Sequence, residues 1–210
     1  NPKEGSSGSS AGPCAAVAAG LVAFAIGSET LGSIVSPCMV NGTYGLRPTY
    51  GRVSRFGAMP LSNTMDKLGP IARSSEDLAL VLQAIQGPDA KDPSAVALPM
   101  GNSQLATSNS LRIGYDPAAF NFDTDTFKKH PDLTQLYQSA LDHLRSLAGR
   151  DLTPITLPPA ADYTGLASLV IACESAANFT TLLTTGDVRK LKQQGEGTWP
   201  NTFRVGSCVP

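Results

Sequence analysis

The chain has 210 residues, 41% of them hydrophobic, and a formal net charge of −1. That length supports one substantial core, as a single domain or part of a larger one, and the near-neutral balance gives no electrostatic case for nucleic acid. Ser, Gly, Glu or Pro interrupts every apolar run before it reaches spanning length, so no membrane span is expected; no signal peptide is expected either, because no basic region precedes an apolar one.

The chain opens with a Ser/Gly cluster, GSSGSSAG (5–12), which runs into GPCAAVAAGLV (12–22). Small apolar residues there favour a buried, closely packed helix, and Pro13 is tolerated in a first turn. VAFAIGS (22–28) reads as a short buried strand ending at a glycine turn. A second small-residue cluster, GSETLGSIVSP (27–37), follows at once. GTYGLRPTYGRVSRFGAMPLS (42–62) is dense in Gly, Pro and aromatics, which predicts short strands joined by tight turns.

SSEDLALVLQAIQGPD (74–89) carries the clearest helix signal. Ser74 or Ser75 can cap it, Glu76 and Asp77 suit its positive end, and Gly87 with Pro88 stops it. Leu78, Leu80, Leu82 and Ile85 supply its apolar packing. Residues 89–110 form a polar connector, the best internal boundary. LRIGYD (111–116) reads as a strand, and 131–149 as an amphipathic helix with Leu133, Leu136, Leu141 and Leu144 on or near one face. DLTPITLP (151–158) alternates like a strand, and 163–186 is a long, mostly apolar helix. Strands alternating with helices indicate an α/β sandwich.

Cys14, Cys38, Cys173 and Cys208 show no CxxC spacing, so buried thiols are expected rather than a zinc site or a disulfide framework. No metal or cofactor is expected, and reduced thiols point to the cytoplasm. His130 and His143, the only histidines, are expected on solvated helix surface. A Ser-His-Asp hydrolase has little histidine to draw on here.

Ser9 and Ser33 sit in the two small-residue clusters, 24 residues apart. A helix and a returning strand fit that interval, so both turns can reach the same end of a sheet. A hydroxyl on a sharp glycine turn, beside backbone N–H groups, is what acyl transfer requires.

These blocks, followed by GLRPTYGRVSRFGAMPLSNTMDKLGPIARSSEDLALVLQAI, resemble the amidase signature family, strongly over 5–96 and more weakly beyond. The resemblance implies an α/β/α sandwich around a mixed β-sheet, of which the chain holds part. Residues 1–96 would be the signature core and 97–210 a continuation carrying substrate-side helices and loops. It also implies a Ser–Ser–Lys triad: Ser33 matches the nucleophile, and Ser9 the cis serine that relays its proton. The backbone N–H groups of Thr30, Leu31, Gly32 and Ser33 match the oxyanion hole, with Ser10 and Ser28 as supporting hydroxyls. Glu29 would fix the turn, and Arg47 and Arg52 would anchor loops.

Two departures bear on the site. Leu31 stands where the family usually has Gly, and Val35 where it commonly has Arg. The family's lysine base lies well upstream of the cis serine. Lys3 has no family motif around it and Lys67 lies in a structural block, so the base is expected outside this chain. The chain is expected to be an internal piece of a longer amidase, inactive alone. The implied activity is hydrolysis of a carboxamide through an acyl-enzyme. Within the family the alternative is the A subunit of a glutamyl-tRNA amidotransferase, which the Leu31 and Val35 departures disfavour; outside it, a non-catalytic fragment. The expected partner is a small-molecule or peptide carboxamide, with a homodimer as an open option.

Overall fold

The computed structural model describes residues 5–99, 112–159 and 161–209. They fall into two compact units, Asn1–Leu98 with Thr164–Pro210, and Pro99–Tyr163.

The first unit opens with α1 (Ala11–Ala18), β1 (Phe24–Glu29), α2 (Val35–Asn41), β2 (Tyr44–Gly45), β3 (Lys67–Ala72) and α3 (Ser75–Ile85). Its sheet has the order β1-β3-β2. β3 is antiparallel to both neighbours, with Phe24 opposite Ala72 and Glu29 opposite Lys67. Opposed residues share a face, so Ala25, Gly27 and Glu29 lie on the same face as Ile71, Gly69 and Lys67. That face carries the core, where Cys14 and Val17 of α1, Ile34 and Cys38 at α2, and Ile71 pack together with Ala25 against them.

Glycine makes the close approach possible. A Cβ on Gly27 would meet Ile71 Cδ1 at 2.8 Å, Ser10 Oγ at 2.9 Å and Ile34 Cγ1 at 3.0 Å. A Cβ on Gly69 would fall on the Leu46 carbonyl. The sequence does not announce β3, because Gly69 and Pro70 in mid-strand argue against a strand.

α3 forms as its sequence predicts. Ser74 Oγ accepts a hydrogen bond from the Asp77 N–H at 3.1 Å, and Leu78 and Leu82 are buried. Leu80 falls off that stripe and is 66% exposed. The helix expected over 12–22 ends at Ala18. Of the strands expected over 42–62 only β2 forms, with an isolated bridge from Val53 to Gln86. The intervening loop is held by side chains instead: Arg52 donates to Gln86 Oε1 at 2.8 Å, and the Arg55 N–H to Asp92 Oδ2 at 2.7 Å.

The second unit contains β4 (Gly114–Tyr115), a 3-10 turn (Pro117–Phe120), α4 (Asp125–Lys129), α5 (Pro131–Ala148) and β5 (Thr153–Pro154). β4 and β5 pair in parallel, Gly114 with Thr153. α5 starts on Pro131 and stops at Gly149, whose φ of 60° is left-handed and suits glycine. Leu141 and Ala148 are its buried residues, whereas Leu136 is 62% exposed. His130 and His143 are exposed. The expected connector beyond residue 99, and Leu111 of the expected strand, lie outside the described residues.

α6 (Ala161–Asn178) leads back into the first unit, followed by α7 (Thr180–Thr184), a 3-10 turn (Asp187–Lys190) and α8 (Trp199–Gly206). The long helix expected over 163–186 is therefore broken at Phe179. Among the described residues no helix is long and apolar enough to cross a membrane.

Candidate active site

The two serine turns are joined by hydrogen bonds. The Ser10 N–H donates to the Ser33 carbonyl at 3.1 Å. Ser10 is buried, and its Oγ accepts from the Ser28 N–H at 3.2 Å and donates to the Ser28 carbonyl at 3.1 Å. Ser7, whose φ is 56°, places its Oγ 2.7 Å from Ser36 Oγ. Asn41 Nδ2 donates to the Ser6 carbonyl at 3.0 Å. Between these contacts the Gly8–Ser9 peptide bond is cis, and Ser9 is exposed.

Glu29 holds the second turn. Its carboxylate is wholly buried at the start of α2, where Oε2 accepts from the N–H of Ile34 at 2.7 Å and of Val35 at 3.0 Å. Arg47 approaches Oε1 at 3.4 Å. Burial alone would raise its pKa; the N–H groups of Val35, Ile34 and Gly32, with Arg47, outweigh it and hold the carboxyl below its ordinary range. The left-handed backbone falls on Gly32, at φ 87°, and not on Leu31. Leu31 in place of glycine therefore costs the turn nothing.

The turn is also tied to the loop before β3. Thr30 Oγ1 donates to Asp66 Oδ1 at 2.5 Å, while Asp66 Oδ2 accepts from the N–H groups of Leu61 at 2.7 Å and Ser62 at 2.9 Å. Glu174 of α6 holds the same loop through the Ser62 hydroxyl, the Thr64 N–H at 3.1 Å and the Thr64 hydroxyl at 2.8 Å. Burial opposes its charge, but these donors keep its pKa low. Sequence reasoning missed Glu174, although a lone acid inside the apolar run LVIACESAAN was a visible signal.

A cavity of about 740 Å³ opens on this arrangement, and Ser9, Ser28, Thr30 and Ser33 contribute its hydroxyls. The structure thus brings Ser9, Ser28 and Ser33 to one space, with Ser10 bonded behind Ser28. Lys67 Nζ donates to the Thr30 carbonyl at 3.3 Å. Burial, then Arg47, lower its pKa, partly offset by Glu29 and Asp66. Lys91 places its ammonium 4.8 Å from the Phe56 ring centre. Lys3 lies outside the described residues.

The thiols divide. Cys14 and Cys38 are buried with their sulfurs 3.5 Å apart, but Cys173 is only half-buried and Cys208 is exposed. The buried-thiol expectation is corrected for those two: α6 turns Cys173 to its margin, and Cys208 follows the end of α8. Among the described residues no three His, Cys, Asp or Glu side chains gather as metal ligands.

The family described as Amidase matches residues 1–204. The chain is 38% identical over 174 residues to the A subunit of the glutamyl-tRNA(Gln) amidotransferase of Akkermansia muciniphila, a match covering 81% of this chain and 36% of that protein. The chain therefore spans little more than a third of that relative's length. The structure superposes on native peptide amidase from Stenotrophomonas maltophilia with a TM-score of 0.74 at 28% identity, covering 97% of this chain and 44% of that one. Against the corresponding glutamyl-tRNA(Gln) amidotransferase chain of Thermotoga maritima the TM-score is 0.70 at 25% identity, covering 96% and 42%. The chain belongs to the amidase family, and its α/β fold is part of the amidase signature fold.

Proposed function

We propose that the protein carrying these residues is an amide hydrolase with Ser33 as nucleophile. Ser33 Oγ attacks the carboxamide carbon while its proton passes to Ser9, and the Ser9 proton passes to a lysine outside residues 1–210. The tetrahedral oxyanion is stabilised by backbone N–H groups of Thr30, Leu31, Gly32 and Ser33, of which that of Gly32 also acts on Glu29. The C–N bond breaks as the leaving nitrogen takes up a proton through Ser9. Water then hydrolyses the acyl-Ser33 ester, releasing the carboxylic acid and restoring the hydroxyl. Ser10 and Ser28 hold the two turns in register. The observation that carries this reading is that Ser9 and Ser33, far apart in sequence, line one cavity on turns bonded to each other.

General-base assistance is typically worth about 10²–10⁴-fold. Ser33→Ala in the full-length protein abolishes ammonia release from carboxamides with the circular dichroism spectrum unchanged. Turnover retained in that variant removes Ser33 from the mechanism. The free cysteines support a reducing compartment, the cytoplasm.

Identity to the glutamyl-tRNA amidotransferase relatives favours a second reading, in which the same acyl transfer acts on glutamine and ammonia passes to a partner protein. Glutaminase activity that rises on adding such a partner separates the two.

A further inference from the structure

The cavity is chemically lopsided. Beside its four hydroxyls, much of its wall is apolar and comes from outside the signature blocks: Phe179, Leu182 of α7, Leu191, and Trp199 and Phe203 of α8. Phe203 stacks on Phe179, with ring centres 4.8 Å apart, and on Trp199 at 5.9 Å, both at an interplanar angle of 27°. Phe203 is buried, whereas Trp199 remains 47% exposed. The stack is thus anchored at its centre and presents an aromatic face to the cavity.

Among the described residues four charged side chains reach the lining, and each is already engaged. The Arg55 guanidinium donates to the Asn63 carbonyl at 2.7 Å, Tyr50 Oη at 2.9 Å and Ser94 Oγ at 3.0 Å. Asp92 accepts from the N–H groups of Arg55 and Ser94 and from the Ser94 hydroxyl. Asp66 is taken up by Thr30, Leu61 and Ser62, and Lys91 lies over Phe56. A free amino acid amide such as glutamine brings a carboxylate and an ammonium, both of which need partners once desolvated.

We propose that this wall is an acyl pocket selecting uncharged carboxamides with an aromatic or branched aliphatic acyl group, against free glutamine. This rests on the acyl-transfer reading above, which places the scissile carbonyl at Ser33. A volume of about 740 Å³ holds a ring-bearing acyl group, within the range typical of small-molecule sites. Each methylene buried on the wall strengthens binding about fourfold.

Trp199 stands in this wall, so a fluorescence change that Trp199→Phe abolishes reports the pocket independently of turnover. Acetamide, isobutyramide, phenylacetamide and glutamine are titrated onto the Ser33→Ala form of the full-length protein. Trp199→Phe, added to that form, keeps the wall apolar and isolates the signal. The expected result is a saturable Trp199 response whose affinity rises along the amide series, phenylacetamide binding at least about tenfold tighter than acetamide, with no response to glutamine. Glutamine binding as tightly as phenylacetamide, or no Trp199 response to any amide, overturns the proposal. Wild-type ammonia release is measured in parallel. Turnover without a Trp199 response sinks the pocket alone; a Trp199 response without turnover sinks the hydrolase reading alone.

Discussion

The Ser10 N–H reaches the Ser33 carbonyl across 3.1 Å, between two clusters that a helix and a strand separate in the chain. Ser10 also closes both backbone groups of Ser28 with its hydroxyl. One buried serine thus joins α1, β1 and the Ser33 turn. Ser10→Ala removes both hydrogen bonds to the Ser28 backbone, a loss of about 0.5–1.5 kcal/mol for each. The urea midpoint of the full-length protein falls accordingly; an unchanged midpoint denies the hydroxyl this role.

Expressed alone, residues 1–210 release no ammonia from simple carboxamides or glutamine. Lys67 donates to the Thr30 carbonyl and Lys91 sits over Phe56, so neither supports a role as base to Ser9. Turnover that disappears in Ser33→Ala shows instead that the chain supplies its own base, and Lys67 becomes the residue to replace.

Glu29 makes the turn that carries Ser33 sensitive to acid. Its folded carboxyl titrates below the ordinary value near 4.5. The stability it contributes is present above that value and is lost as pH falls through the lower folded pKa. Glu29→Gln destabilises the full-length protein at pH 7 by about 1.5–3 kcal/mol, the range for hydrogen bonds to a charged group. The gap between the two proteins closes as the pH drops below 4.5. Melting temperatures taken across that window check it; a gap independent of pH rules out the charge.

Cys14 is buried against Cys38, and burial followed by that contact pushes its pKa to about 12. At pH 8 only about one Cys14 in ten thousand is thiolate, the reactive form. Iodoacetamide at that pH labels Cys208 first, and leaves Cys14 and Cys38 unmodified until the protein is denatured. Mass spectrometry of peptides after timed quenching reads the order; early labelling of Cys14 shows that the α1–α2 contact opens.

Local chemistry made α1 and α3 legible, the latter down to its Ser74 cap, because small-residue runs and capping signals act within a few residues. β1 is a strand as expected but not the buried one expected to end at a glycine turn: Phe24 and Ile26 are exposed, and the strand runs through Gly27 to Glu29. β3 was not legible. Gly69 and Pro70 weaken its local strand preference, and only β1, β2 and the Leu46 carbonyl pressed against Gly69 give it a place. The two serine clusters were readable as a pair through their spacing. Their attachment to the cavity wall was not, since Thr30 with Asp66 and Ser62 with Glu174 are bonds between distant segments. The α8 wall escaped for the same reason: Trp199 and Phe203 acquire meaning only beside Phe179.

The order β1-β3-β2 gives β1 a single neighbour among the described residues, while Phe24 and Ile26 on it are 48% and 39% exposed. A six-residue strand with an unpaired edge and apolar side chains is a template for another chain. Residues 1–210 in isolation will self-associate through β1 as their concentration rises. A lysine in place of Ile26, whose side chain stands on the face away from the core, is the substitution that keeps them apart.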